Sequence, residues 1–227
     1  MMTDDYRPPL RKVGIALIAV GVGDIAWMIY CISHGMKYSS SSNVFSVIAG
    51  ILLIRGGLRT ANIVAFLSAM TISGSIGVTI MTPMFIPLDL ICTYWKLRFI
   101  ATLGSSLLAI ATTLFCYWVY KVLTTAAVSA ATAEKYPKWT SWWRRPRTGF
   151  FSGFILVLVV SISLLRLMHG KTAVRAVVEA QRQVGEHYKF AVTHLHTFSA
   201  GGITTVKGIV TAYNDKEIRT IPVDWQQ

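Results

Sequence analysis

The stretch FILVLVVSISLL at residues 154–165 runs for twelve residues without a charge, a proline or a glycine, and it sits inside a longer apolar run at 149–168. A helix that crosses a bilayer needs about 20 mostly apolar residues. Runs of that kind recur at residues 13–32, at about 61–86 and at 99–120. A weaker one lies at about 38–54, where the apolar part VFSVIAGILLI is short and reaches spanning length only by taking in the serines at 39–42. The pattern predicts an α-helical polytopic membrane protein with about five transmembrane helices. Composition agrees, because only 14% of the residues are charged and 53% are hydrophobic, whereas a soluble domain carries about 25% charge.

The charges are unevenly placed. Residues 1–170 hold 15 Lys or Arg against 5 Asp or Glu, and residues 171–227 hold 7 against 5. In short loops, Lys and Arg accumulate on the cytoplasmic side. An inside N-terminus puts Arg7, Arg11, Lys12, Arg55 and Arg59 there, together with Lys121, Lys135, Lys138, Arg144, Arg145 and Arg147. The outer loops then receive Lys37, Lys96 and Arg98, which makes eleven against three. The organisation expected is a cytoplasmic N-terminal segment at 1–12, a five-span membrane domain at 13–170 and an extracytoplasmic domain at 171–227. The first span, with a long apolar core and no small-residue cleavage site after it, is expected to stay as an uncleaved anchor.

The basic loop at 121–148 contains YPKWTSWWRRPR. Tryptophan favours the headgroup layer and arginine favours anionic lipid. Trp139, Trp142, Trp143, Arg144, Arg145 and Arg147 are therefore expected to anchor the chain at the membrane interface, with an anionic bilayer as partner. The same logic assigns the formal charge of +12 to lipid and not to nucleic acid.

Within the spans, Asp24 is the acid nearest a helix centre, and an intramembrane carboxylate must be protonated, face the bundle interior or meet a donor. Asp89 follows Pro83 and Pro87 and reads as an interfacial loop acid. Small residues recur at every fourth position at Ala69, Ser73 and Gly77, and again at Ala101, Ser105 and Ala109. Such stripes let helix backbones approach closely and are expected to pack internally.

Several chemistries lack their residues. None of the five histidines lies within a span, since His34 stands at the outer end of the first. Haem ligation or histidine-assisted proteolysis inside the bilayer therefore has no ligand or base. No phosphate-binding loop, dinucleotide fingerprint or HExxH helix occurs. Gly74-Ser75-Ile76-Gly77 resembles a nucleophile motif but belongs to the small-residue stripe. Cys31, Cys92 and Cys116 lie in or beside apolar runs without a paired spacing and are expected to be packing residues. No enzyme activity, metal or cofactor is expected.

The last quarter of the chain changes character. In KTAVRAVVEAQRQVGEHY, Val174, Val177, Val178 and Val184 recur at helical spacing opposite Arg175, Glu179, Arg182 and Glu186, and Gly185 is a stop. Three alternating runs follow at 188–198, 203–213 and 217–225, separated by Ala200-Gly201-Gly202 and Asn214-Asp215-Lys216, which predicts an antiparallel meander. Its apolar face is expected to include Tyr188, Phe190, Val192, Phe198, Ile221, Val223 and Trp225. His194 and His196 share a strand face, but two ligands do not make a metal site. The domain is thus a small α+β unit, one helix plus a three-stranded meander. Its element order and terminal Ile221-x-Val223-x-Trp225 pattern resemble the small extramembrane domains of membrane-bound assembly and translocation factors. That resemblance implies a protein-binding role.

These features lead to the expectation of a non-enzymatic protein of the bacterial inner membrane. It would act as a scaffold, assembly or regulatory factor through its C-terminal domain, with a membrane or periplasmic protein or a second copy of itself as partner. The alternative is a small transporter or channel subunit using Asp24.

Overall fold

The computed structural model describes residues 4–36, 38, 43–136, 146–168, 170–185, 187–200 and 203–226. Its helices are α1 (Arg7–Ser33), α2 (Asn43–Ile54), α3 (Leu58–Phe85), α4 (Leu88–Leu97), α5 (Phe99–Leu123), α6 (Ala126–Lys135), α7 (Thr148–Met168) and α8 (Lys171–Val184). The strands are β1 (Lys189–Ala200), β2 (Ile203–Tyr213) and β3 (Ile218–Gln226). Two compact units are formed, one from residues 1–74 and 112–154 and the other from 75–111 and 155–227.

Helices α1, α3, α5 and α7, with 27, 28, 25 and 21 residues, are long and apolar enough to cross a membrane. The second segment differs from expectation. Helix α2 has 12 residues, which at 1.5 Å per residue is about 18 Å against a hydrocarbon core of about 30 Å. Among the described residues, the expected five spans are therefore four helices of spanning length and one short apolar helix. The serines at 39–42 lie outside the described residues.

In the first unit α1 and α2 run antiparallel in close contact. A Cβ on Gly14 would lie 2.7 Å from the Gly50 carbonyl oxygen, and one on Gly50 would lie 2.6 Å from that of Gly14. Two glycines thus bring the backbones together. Leu10 and Val13 of α1 join Leu53 of α2, Leu58 and Ala65 of α3, Val119 and Leu123 of α5 and Val128 of α6 in one buried core. Helix α6 was not expected, because residues 121–148 read as a loop. Its sequence, AAVSAATAEK, is rich in alanine, the strongest helix former. After it, the Arg59 guanidinium stacks over the Tyr136 ring at 5.5 Å.

The stripe of Ala69 and Ser73 on α3 packs as expected. Gly149 of α7 meets Phe66 and Ala69, and Gly153 meets Met70 and Ser73, so the two helices run parallel. In the second unit, Gly77 faces Val157 in the same register. The stripe on α5 does not follow suit. Ala101, Ser105 and Ala109 are exposed, and the neighbouring Gly104 has open space where its Cβ would be.

The second unit also contains α4, α8 and the sheet, whose strand order is β1-β2-β3 with antiparallel pairing throughout. Tyr213 pairs with Lys189 and with Ile218, and Val210 with Val192 and Ile221. A bulge interrupts the β1–β2 ladder between Val192 and His194. The β2–β3 turn is closed by Asn214, whose side-chain oxygen accepts from the backbone N–H groups of Lys216 and Glu217 at 2.9 and 2.8 Å. Helix α8 ends at Gly185 with φ +87°, a conformation that glycine adopts without a Cβ clash.

Helix α8 covers one face of the sheet, but not with the face expected. Ala173, Ala176 and Ala180 are buried against Val192, Val210, Ala212, Ile221 and Val223, with Val177 and Val184 at the margin. Val174 and Val178 instead stand outward, 63% and 44% exposed. Alanines at three- and four-residue spacing let the helix lie close on the sheet, which a valine row would hold off. Tyr188, Phe190 and Trp225 join this core as expected, and the Phe198 side chain lies outside the described residues.

Gly50→Val is expected to drive α1 and α2 apart and to cost about 1–3 kcal/mol. Gly104→Val, placed in open space, should leave stability unchanged. Thermal unfolding of both variants in mild detergent checks the difference.

Candidate functional site

The uncovered face of the sheet meets α4. Pro87, with φ −54° and ψ 136°, ends the preceding turn and starts this helix. Its residues then divide by helical spacing. Leu90 is fully buried with Ala191 of β1 and Tyr213 of β2, and Ile86, Tyr94 and Ile218 pack around them. Asp89, one residue earlier, points to the side of that contact and accepts from Lys189 Nζ at 2.5 Å. Lys189 and Tyr213 are partners in register, so the ion pair and the apolar contact come from adjacent positions of the same ladder.

This ion pair is open to solvent, with side chains 66% and 65% exposed for Lys189 and Asp89. The hydrogen bond from Lys189, reinforced by its charge, lowers the Asp89 pKa below the usual carboxylate value. The reciprocal bond to Asp89, with its charge, raises Lys189. The depressed carboxylate stabilises the contact above its ordinary pKa and loses that effect as pH falls through the lowered value. The raised lysine contributes below its ordinary pKa and loses its effect as pH rises through the raised value. The pair is therefore complete across the whole neutral range.

Two cavities flank the Leu90–Ala191–Tyr213 contact. A polar one of about 380 Å³ is lined by Asp89, Cys92, Thr93 and Lys96 of α4 and by His187, Lys189 and the 213–215 turn. An apolar slot of about 450 Å³ lies between Phe85, Ile86 and Leu90 on one side, Leu164 and Met168 of α7 on another, and β1 from Ala191 to Leu195.

A second charged cluster closes the open end of the sheet. Tyr188 donates to Glu217, and Arg219 Nε donates to the same carboxylate at 3.1 Å. The Arg219 guanidinium also lies 5.6 Å from the Tyr188 ring centre. The hydrogen bond from Tyr188 first, and that from Arg219 second, lower the Glu217 pKa, while the bond to Glu217 raises Tyr188. The cluster ties the entry to β1 to the start of β3.

Asp24 belongs to the other unit. It continues the helical spacing of Leu10, Val13 and Leu17 on α1 and is half-buried. Antiparallel counting from the Gly14–Gly50 contact carries Asp24 past Asn43, the first residue of α2, so that contact does not place it against the helix. Asp24 does not stand free, since it takes part in a polar or electrostatic interaction.

Asp89 is not the loop acid expected, because residues 88–97 form α4 and put it in that helix's first turn. The expected interface anchors Trp139, Trp142, Trp143, Arg144 and Arg145 lie outside the described residues, as do Lys138, His169, Glu186 and the His196 side chain. Arg147 is exposed just before α7. His194 borders the apolar slot. No group of three metal-binding side chains forms among the described residues. Cys31 is buried, Cys116 half-buried and Cys92 exposed.

No protein family, characterised protein or solved structure matches this chain. The outline resemblance of the last quarter to assembly and translocation factors therefore rests on element order and the terminal Ile221-x-Val223-x-Trp225 pattern.

Cys92 reports on the α4 contact from inside the polar cavity. Asp89→Asn and Lys189→Gln are each expected to raise its maleimide labelling rate at neutral pH, and the exchanged pair Asp89→Lys with Lys189→Asp should bring the rate back toward that of the unaltered protein. Trp95 fluorescence should be constant across neutral pH and shift once pH falls below the ordinary carboxylate value of about 3.9. That acid shift should be absent from Asp89→Asn.

Proposed function

We propose that this chain is an integral membrane protein that acts by binding and not by catalysis, displaying its α8–sheet module to a protein partner outside the cytoplasm. Four apolar helices of spanning length support the membrane setting. With α2 taken to return the chain antiparallel beside α1, the eleven-to-three bias of basic residues supports a cytoplasmic N-terminus and an outer C-terminal module. The bacterial inner membrane fits the same features, and the role is that of a scaffold, assembly or regulatory factor.

The observation that carries the binding reading is the outward face of α8. Val174 and Val178 stand one turn apart, 63% and 44% exposed, among Arg175, Glu179 and Arg182. Exposed apolar side chains rimmed by charge are the composition of a contact surface. Arg175 is also held in place by stacking over the Trp225 ring at 5.6 Å, and Arg182 pairs with Glu179 at 3.5 Å. The module needs neither Val174 nor Val178 for its own core, which is filled by the alanines.

A photo-crosslinking amino acid at position 178 should give one discrete adduct in cells, either with another membrane or envelope protein or with a second copy. The same probe at exposed Thr220 of β3 should not. Val174→Glu should abolish the adduct without changing the far-ultraviolet circular dichroism. Equal adducts from both positions would sink the proposal.

The transporter alternative rests on Asp24. Its half-buried place on α1, in line with Leu10, Val13 and Leu17, and its polar or electrostatic interaction supply a structural part for the carboxylate. Asp24→Asn is accordingly expected to retain the position-178 adduct and to show a small loss of thermal stability. Ion or proton flux in liposomes that disappears in this variant would favour transport instead.

A further inference from the structure

We propose that the apolar slot between α7 and β1 takes one acyl chain of a bilayer phospholipid. The inference rests on the membrane reading above and adds a ligand and its site. The slot has a volume of about 450 Å³ and is bounded by carbon-rich side chains, Phe85, Ile86, Leu164 and Met168 among them. Phe85 and Met168 are the last residues of α3 and α7. Both helices reach the length that crosses the hydrocarbon layer, so their final turns place the slot where the outer leaflet ends. Leu164, one turn deeper, is 44% exposed and continues the lipid-facing surface of α7 into the slot. A chain that straightens along α7 enters without leaving apolar surroundings.

The wall opposite α7 is a strand, which ordinarily offers polar backbone groups to whatever lies beside it. An apolar occupant requires those groups to be satisfied. At the bulge, side chains of β1 itself meet two backbone carbonyls. The Thr193 hydroxyl donates to the Ile209 carbonyl at 3.0 Å, and the His194 ring Nδ1 lies 2.9 Å from the Thr193 carbonyl oxygen. Ala191 and Leu195 then present hydrocarbon on either side of the bulge. The nearby ionic groups, Asp89 and Lys189, are engaged with each other on the far side of the Leu90–Ala191 contact and line the polar cavity, not the slot.

The test uses the full chain reconstituted in liposomes of phosphatidylcholine that carries a photoreactive diazirine at the end of one acyl chain. After illumination, labelled peptides are mapped by mass spectrometry. Label is expected on β1 at residues 190–195 at a level comparable to the α7 segment 160–168 and several-fold above β3 at 218–226. Filling the slot from either wall, with Ala191→Phe or with Leu164→Trp, should remove the β1 label and leave the α3 label in place. Two variants on separate elements keep the result independent of whether one of them folds poorly. Label on α3 and α7 with β1 no higher than β3 would overturn the acyl-chain site alone. Absence of label from α3, α7 and β1 together would overturn the membrane reading on which it stands.

Discussion

Close approach of glycine backbones is the constraint on which the helical part of this protein depends. Between Gly14 and Gly50 the spacing leaves less than 3 Å for any added Cβ. The same device returns where Gly149 and Gly153 of α7 settle on Phe66, Ala69, Met70 and Ser73 of α3. In a lipid environment, apolar side chains gain nothing by leaving hydrocarbon for a helix interface, so association draws on dispersion contacts at short range. Small residues supply that range. The first half of α5, which keeps an equally regular stripe at Ala101, Ser105 and Ala109, nevertheless remains exposed. A smooth face permits contact, and contact occurs only where another element brings a matching surface to it.

The C-terminal module packs by a different rule. Its core is a two-layer arrangement in which the alanines of α8 lie on Val192, Val210, Ile221 and Val223. A sheet of three strands has two faces, and this one closes the second with α4 through Leu90, Ala191 and Tyr213. The Asp89–Lys189 pair lies at the edge of that contact, too exposed to add much stability. Its placement beside Tyr213 suits it to setting which part of the sheet meets α4. The apolar contact supplies affinity and the ion pair supplies register.

Much of this architecture was legible in the residues. The four long apolar runs became α1, α3, α5 and α7, with ends within three positions of expectation except that α1 starts six residues earlier, and the Gly185 stop and the gap at Asn214-Asp215-Lys216 stand where they were expected. Helix α4 escaped because its ten residues are too few for an apolar run and mix Leu90 and Tyr94 with Asp89 and Lys96. Its amphipathic spacing after Pro87 was the available signal. Helix α6 escaped because alanine carries helix propensity without an apolar period. The α8 face was misplaced because valines draw attention as core residues, whereas the sheet required the smaller alanines beneath the helix.

The sequence by itself determined that the chain is mostly helical, that it holds several segments long and apolar enough for a membrane, one more being expected than the four helices of that length, and that a helix and a meander follow them. Those properties follow from local periodicity and from the cost of apolar surface in water, which each segment carries alone. Tertiary structure decided that Asp89 pairs with Lys189, a hundred residues away. It also decided that Asp24 is half-buried on α1, and that a slot opens between α7 and β1. These depend on which side chains the packing brings within a few ångströms, and no spacing along the chain encodes that distance.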